Sequence, residues 1–387
     1  MIKTILNCII LCLAALTIFA QENKIGKRSR DYGISIGVLP TGKNNAITDV
    51  DGVQVGQVTI NKGDTIHTGV TAIIPHPGNV FQQKVPAGLF VGNGFGKMAG
   101  ISQINELGNI ETPIVLTNTL NVGTAMQAVV NYTLSQPGNA KIKSVNAIVG
   151  ETNDATLNDI RGTHVRESDV LNAIQNAKPG RVQEGNVGAG TGTVCFGFKG
   201  GIGTASRVLS EKLGGYTVGV LVQSNYGGVL QINGAPIGQE LQQFSFSNAL
   251  LNNVDGSCMV IIATDAPLSD RNLERLAARA FLGLGKTGGI ASNGSGEYFL
   301  AFSTHKSVRV PYQSASTELN QPTLHNDAMS PLFMAAIEAT EEAVINSLFA
   351  GVTVKGHQKT VPCLPLDKVL PLLKKYNALS PVGNIKK

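Results

Sequence analysis

Apolar and polar residues alternate from Val53 to Ile60 (Val53-Gln54-Val55-Gly56-Gln57-Val58-Thr59-Ile60), the period of two that a half-buried strand imposes. Residues 70–74, 114–116, 145–149 and 216–222 are short runs rich in β-branched residues, as fully buried strands are. Helical spacing predicts helices over residues 98–107, 123–135 and 167–176. The last third reads most clearly. An apolar strand over 257–264 ends at Asp265-Ala266-Pro267, and Ser269-Asp270 then offers a helix cap. Leu273, Leu276, Ala277, Ala280, Phe281 and Leu284 follow at helical spacing before Gly285. Residues 297–303 read as a further strand, and Ser330-Pro331 opens a helix to about Ala350. Strands alternating with helices and no domain-breaking linker predict a layered α/β body.

Residues 1–20 depart from this pattern. Lys3 supplies a positive start, residues 5–19 are almost wholly apolar, and Ala20 precedes polar Gln21-Glu22-Asn23. That arrangement predicts a cleavable secretory signal peptide, hence a periplasmic or secreted product with no membrane attachment once the leader is gone. Cys8 and Cys12 lie too early in it, with the wrong flanks, to be lipid-attachment sites. The formal charge of the whole chain is +5, and loss of Lys3 with the leader leaves +4. The one tight basic group, Lys27-Arg28-Ser29-Arg30, reads as a solvated tail rather than a nucleic-acid patch.

Composition removes several classes. A chain that is 42% hydrophobic and 15% charged is not disordered, and its 45 glycines follow no three-residue period. Cys195, Cys258 and Cys363 are too few for a disulfide framework and lack metal-ligand spacing; all three read as buried small hydrophobes, with one disulfide as the lesser option. Gly94-Phe95-Gly96-Lys97-Met98-Ala99 fits the loose dinucleotide fingerprint, and Gly188-Ala189-Gly190-Thr191-Gly192 nearly does. With so many glycines, tight turns and close packing account for both. The six histidines are isolated, and no G-x-S-x-G elbow exists.

Gly256-Ser257 differs in kind. A glycine stands directly before a serine that begins an apolar strand, so its peptide can be held bent with the Gly256 carbonyl near the Ser257 hydroxyl. An N→O acyl shift and hydrolysis there would create an amino terminus on Ser257 with a pKa of about 8, able to act as base to its own hydroxyl. On these two residues alone, a turn feeding a strand is the better reading.

The chain resembles the exported aminopeptidases of the DmpA/BapA type, the L-aminopeptidase/D-amidase-esterases and β-peptidyl aminopeptidases. The resemblance runs over residues 33–355 and rests on ordered motifs. These include Ile47-Thr48-Asp49-Val50-Asp51-Gly52-Val53, Gly150-Glu151-Thr152, Leu157-Asn158-Asp159, Gly185-Asn186-Val187-Gly188-Ala189-Gly190-Thr191-Gly192, Val222-Gln223-Ser224-Asn225-Tyr226-Gly227 and Ser292-Asn293-Gly294-Ser295-Gly296-Glu297. It implies a four-layer αββα sandwich, similar to the N-terminal-nucleophile hydrolases with different connectivity. It also implies a single catalytic domain, residues 21–387, that cuts itself between Gly256 and Ser257 into chains 21–256 and 257–387. Relatives form multimers of the cleaved pair.

By the same resemblance, Ser257 is the nucleophile, and Ser295 and Glu297 complete its proton-transfer network. Asn225 is the oxyanion-hole donor, and Glu151 anchors the free amine of the substrate. Cys258, one residue on, points to the opposite face of the strand and reads as core. The implied substrates are short peptides, amides or esters, with no cofactor, no metal and no nucleic acid. Two alternatives are an acyltransferase of the ornithine acetyltransferase type, whose nucleophile is typically Thr, and a binding protein that kept the fold without activity.

Overall fold

The alternating segment forms one arm of an antiparallel pair. β1 (Gln54–Lys62) lies against β2 (Ile66–Ile74), with Val58 opposite Val70 and Gly56 opposite Ala72. The computed structural model describes residues 27–247 and 255–379; the expected leader, residues 1–20, lies outside them. β4 (Ile114–Asn118) and β5 (Ile148–Thr152) run parallel to each other, and with Met98–Ala99 they complete a five-stranded sheet in the order β1-β2-β4-β5-Met98–Ala99.

A larger sheet follows the order β6 (Gly201–Val208), β7 (Thr217–Asn225), β8 (Asp255–Thr264), β9 (Gly294–Ser303) and β3 (Gln83–Gly94), with Val310–Pro311 at its edge. β8 and β9 are parallel, so the chain must cross over between them, and α3 (Asp270–Lys286) makes that crossing. Side chains of β8 divide by parity. Met259 and Ile261 face the five-stranded sheet, packing with Ile73, Ile114 and Leu116. Cys258, Val260 and Ile262 face outward against Leu273 and Leu276 of α3 and Val344 of α4 (Ser330–Phe349). On the far side, α1 (Val122–Ser135) and α2 (Glu167–Gln175) place Val129, Val170 and Ile174 over Val70, Ala72, Val115 and Val149. The result is helix, sheet, sheet, helix, the αββα order expected. Burial on both faces is why the central strands read as unbroken apolar runs, each full side chain contributing about 1.5–3 kcal/mol.

Three readings need correction. The helix expected over 98–107 is a short strand and then a helix, Ile101–Leu107, because Gly100 takes a left-handed conformation (φ +84°) between them. The strand expected over 145–149 begins at Ile148. Lys27-Arg28-Ser29-Arg30 is no solvated tail. Arg28 and Ser29 are buried, Arg28 pairs with Glu184, and Arg30 makes a two-pronged contact to Glu342 at 2.6 and 2.7 Å. Fully buried Arg207 reaches Glu338 at 2.9 Å and Glu342 at 2.7 Å. Carboxylates this deep in α4 need cations, and Arg30 of the basic segment and Arg207 of β6 supply them.

The Gly-rich stretch 188–192 serves close packing. A Cβ on Gly190 would stand 2.3 Å from the Ile202 backbone nitrogen. Among the described residues, no helix is long and apolar enough to cross a membrane.

Candidate active site

Sheet register, rather than sequence proximity, assembles the site. Asn225 ends β7 directly opposite Ser257 on β8, and on the other side Gly256 lies beside Ser295 and Cys258 beside Glu297 of β9. The ladder therefore collects Asn225, Gly256, Ser257, Ser295 and Glu297 at one end of the larger sheet. The Ser257 hydroxyl donates to the Gly256 carbonyl at 2.5 Å, so it stands beside its own upstream peptide bond. Gly256 lies within strand β8 and is not among the residues with positive φ, and its carbonyl stands beside the Ser257 hydroxyl as expected. Its role is to leave space. A Cβ there would sit 3.0 Å from the Asn225 carbonyl oxygen, the Tyr226 Cα and the Ser295 hydroxyl at once.

Beside Gly256, on the sheet face that Cys258 shares, the Ser295 hydroxyl donates to Glu297 Oε1, as residues two apart on one face of a strand can. Glu297 Oε2 is buried with no hydrogen-bond partner among the described residues. Burial pushes this carboxyl up to about 7 against the opposing pull of Ser295, so the group can exchange a proton near neutrality. Asn225 is held on both sides. Its Oδ1 accepts from the Val194 N–H at 2.8 Å and its Nδ2 donates to the Asn153 carbonyl at 3.0 Å. An amide nitrogen has two hydrogens, and the second has no partner among the described residues.

Glu151 sits near the end of β5, only 2% exposed, on the wall of the same cavity of about 930 Å³ that Ser257 and Asn225 line. Burial raises its carboxyl pKa. Thr119, whose hydroxyl donates to Oε2, and Lys97, whose N–H donates to Oε1 at 2.9 Å, pull the other way. Cys258 is fully buried on the opposite face, with its thiol pushed well above the ordinary value by burial, as core placement requires. Cys195 is buried too, Cys363 is half-buried, and all three thiols are unpaired. No group of three or more His, Cys, Asp or Glu among the described residues could hold a metal ion.

Sequence reasoning did not find Lys97, Thr119, Asn153 or Val194 as parts of this site. Lys97 belongs to the Gly-rich stretch that fits the dinucleotide fingerprint. There the backbone N–H meets a side-chain carboxylate rather than a phosphate.

Residues 45–361 match the profile of peptidase family S58. The chain belongs to peptidase family S58. Within this family it is 40% identical over 395 aligned positions to the β-peptidyl aminopeptidase BapA of Sphingosinicella microcystinivorans, covering 95% of this chain and 97% of that protein. The BapA of Sphingosinicella xenopeptidilytica is 38% identical over 380 positions, covering 92% and 94%. Among solved structures, a Burkholderia sp. β-aminopeptidase superposes with a TM-score of 0.83 at 42% identity, covering 90% of this chain and 99% of its own. The L-aminopeptidase D-Ala-esterase/amidase of Ochrobactrum anthropi, described as a prototype for the serine aminopeptidases and a variant of the Ntn hydrolase fold, gives 0.84 at 37%, covering 91% and 99%. This S58 member is accordingly a serine-type aminopeptidase with a variant Ntn hydrolase fold.

Proposed function

We propose that the chain is an exported precursor that cuts itself before Ser257 and then removes N-terminal residues from short peptides, amides or esters. The observation that carries this reading is the shared sheet end. A hydroxyl, its upstream carbonyl, an oriented amide and a Ser–Glu pair meet there, and a buried carboxylate lines the same cavity.

In processing, the Ser257 Oγ attacks the Gly256 carbonyl carbon, and its proton passes toward the Ser295–Glu297 pair. The C–N bond breaks as the Ser257 nitrogen takes a proton, leaving an ester on Oγ. Water hydrolyses that ester, giving a Gly256 carboxylate and a free hydroxyl beside a new amine. In turnover this amine accepts the hydroxyl proton as Oγ attacks the substrate carbonyl. The Asn225 Nδ2–H donates to the developing oxyanion, and the leaving amine receives the proton. Water then releases the acyl group. Glu151, with one face toward the cavity, pairs with the substrate ammonium and makes the enzyme an exopeptidase. The relatives named for β-peptides support including N-terminal β-residues among the substrates. The mature enzyme is a periplasmic or secreted multimer of the cleaved pair.

The test is a matched pair of short peptides, one with a free amine and one N-acetylated. Only the free one should be cut, and only at its first bond. Glu151→Gln should lose about 10²-fold in kcat/KM on it, the scale of an unpaired buried charge, while still processing itself. Equal cleavage of the acetylated peptide would contradict the reading.

A further inference from the structure

Among the described residues that line the cavity, three carry charge: Lys97, Glu151 and Lys359. Glu151 is the only anion, and it is already met by the Thr119 hydroxyl and the Lys97 N–H. Lys97 reaches back over it, with Nζ 3.9 Å from Oε1 and a side chain more than half exposed. Lys359 lies in a hairpin of Val354–Lys355 and Thr360–Val361 that overhangs the cavity. Its tip is fastened beside the wall that holds Asn153. The His357 N–H donates to the Leu157 carbonyl at 2.9 Å, and the Gln358 N–H to the Thr156 carbonyl at 3.2 Å. Lys359 forms no ion pair among the described residues, although the other hairpin lysine, Lys355, is paired with Asp64.

This charge distribution has a consequence for any ligand that brings an ammonium group to Glu151. The incoming cation takes the one carboxylate on the wall, and Lys97 loses its partner. Two unpaired cations then face the rest of the ligand in a partly enclosed space, where charges are screened less than on an open surface. A ligand that also carries a carboxylate satisfies them, a neutral one does not, and a second positive charge is repelled.

We infer that Lys97 and Lys359 are specificity-determining residues, selecting substrates that carry a carboxylate in addition to the free amine. That group is the free C-terminus of a short peptide or an acidic side chain. The inference rests on the aminopeptidase reading above and adds to it the charge class of the substrate.

The test uses the processed enzyme and two matched substrate pairs: a dipeptide against its C-terminal amide, and an N-terminal Glu anilide against its Gln counterpart. The quantity read is the ratio of kcat/KM within each pair at low and high salt. Wild-type enzyme should favour the charged member of at least one pair by about fivefold at low salt, on the scale of partly exposed ion pairs, and less at high salt. Lys97→Gln and Lys359→Gln should each lower that ratio, and together bring it close to one. The pair that responds identifies the source of the carboxylate. Equal use of both members by wild-type enzyme, or a preference that survives the double substitution, overturns the inference. Hydrolysis of no member of either pair overturns the aminopeptidase reading beneath it. Thermal unfolding midpoints close to wild type establish that the variants are folded.

Discussion

Asn225 and Ser257 are direct cross-strand partners, the last residue of β7 facing the third residue of β8. Their separation is set by a hydrogen-bonded ladder in the middle of a sheet, which holds a donor and a nucleophile more tightly than two loops could. A second, parallel ladder on the other side of β8 sets Gly256 beside Ser295.

Asn225→Asp keeps the oxygen that accepts from Val194 but loses the N–H donor. It should lower kcat by about 10²–10³, the cost of one oxyanion donor, with a much smaller change in KM. Asn225→Ala should match it in kcat and also melt earlier, because the Val194 N–H and Asn153 carbonyl lose their partner. Steady-state kinetics on pre-processed enzyme check this; a near-normal kcat in both variants would remove Asn225 from the chemistry.

Glu297 carries the pH dependence. Burial raises its carboxyl to about 7, so the folded state holds a proton that the unfolded state has already lost above the ordinary value of 4.5. Stability from this group is therefore full below about 4.5 and falls as pH rises toward 7. Glu297→Gln removes that term, so its stability relative to wild type should grow over this window by on the order of 3 kcal/mol and then level off. Processing in the wild type should quicken with pH through the same range as the proton acceptor ionises. In Glu297→Gln it should be slow at every pH. Urea unfolding and processing time courses at several pH values check both.

How much of this was legible beforehand depends on whether the signal was local. The spacing of Leu273, Leu276, Ala280 and Leu284 located α3, because a helix face is written within a few turns of chain. β8 was legible as an apolar run. β3 and β6 were not, since β6 is Gly-rich and close packing rather than side-chain period decides it. Ser295 and Glu297 were paired by the family resemblance, since Ser-Gly-Glu by itself reads as an ordinary turn or strand start, and their position beside Gly256 comes from a parallel ladder formed after a long crossover. Val194, and Lys97 in its hydrogen bond to Glu151, were missed because the contact is made by a backbone N–H, which every non-proline residue has. The basic segment misled for a related reason: its carboxylate partners, Glu184 for Arg28 and Glu342 for Arg30, lie 156 and 312 residues away.

That segment gives a stability prediction. Burial alone would raise the Glu342 carboxyl, yet Arg30, Arg207 and Asn45 pull it below the ordinary carboxylate value. Glu342→Ala leaves two arginines without this acceptor and should cost about 3–5 kcal/mol. The urea midpoint should fall accordingly, and replacement of an exposed glutamate such as Glu318 should not reproduce the effect.

The most direct measurement is the intact mass and N-terminal sequence of the purified protein's chains. Wild-type protein should give two associated polypeptides, the smaller of 131 residues beginning at Ser257, and Ser257→Ala a single uncut chain. Active wild-type protein whose Gly256–Ser257 bond is still whole would contradict this.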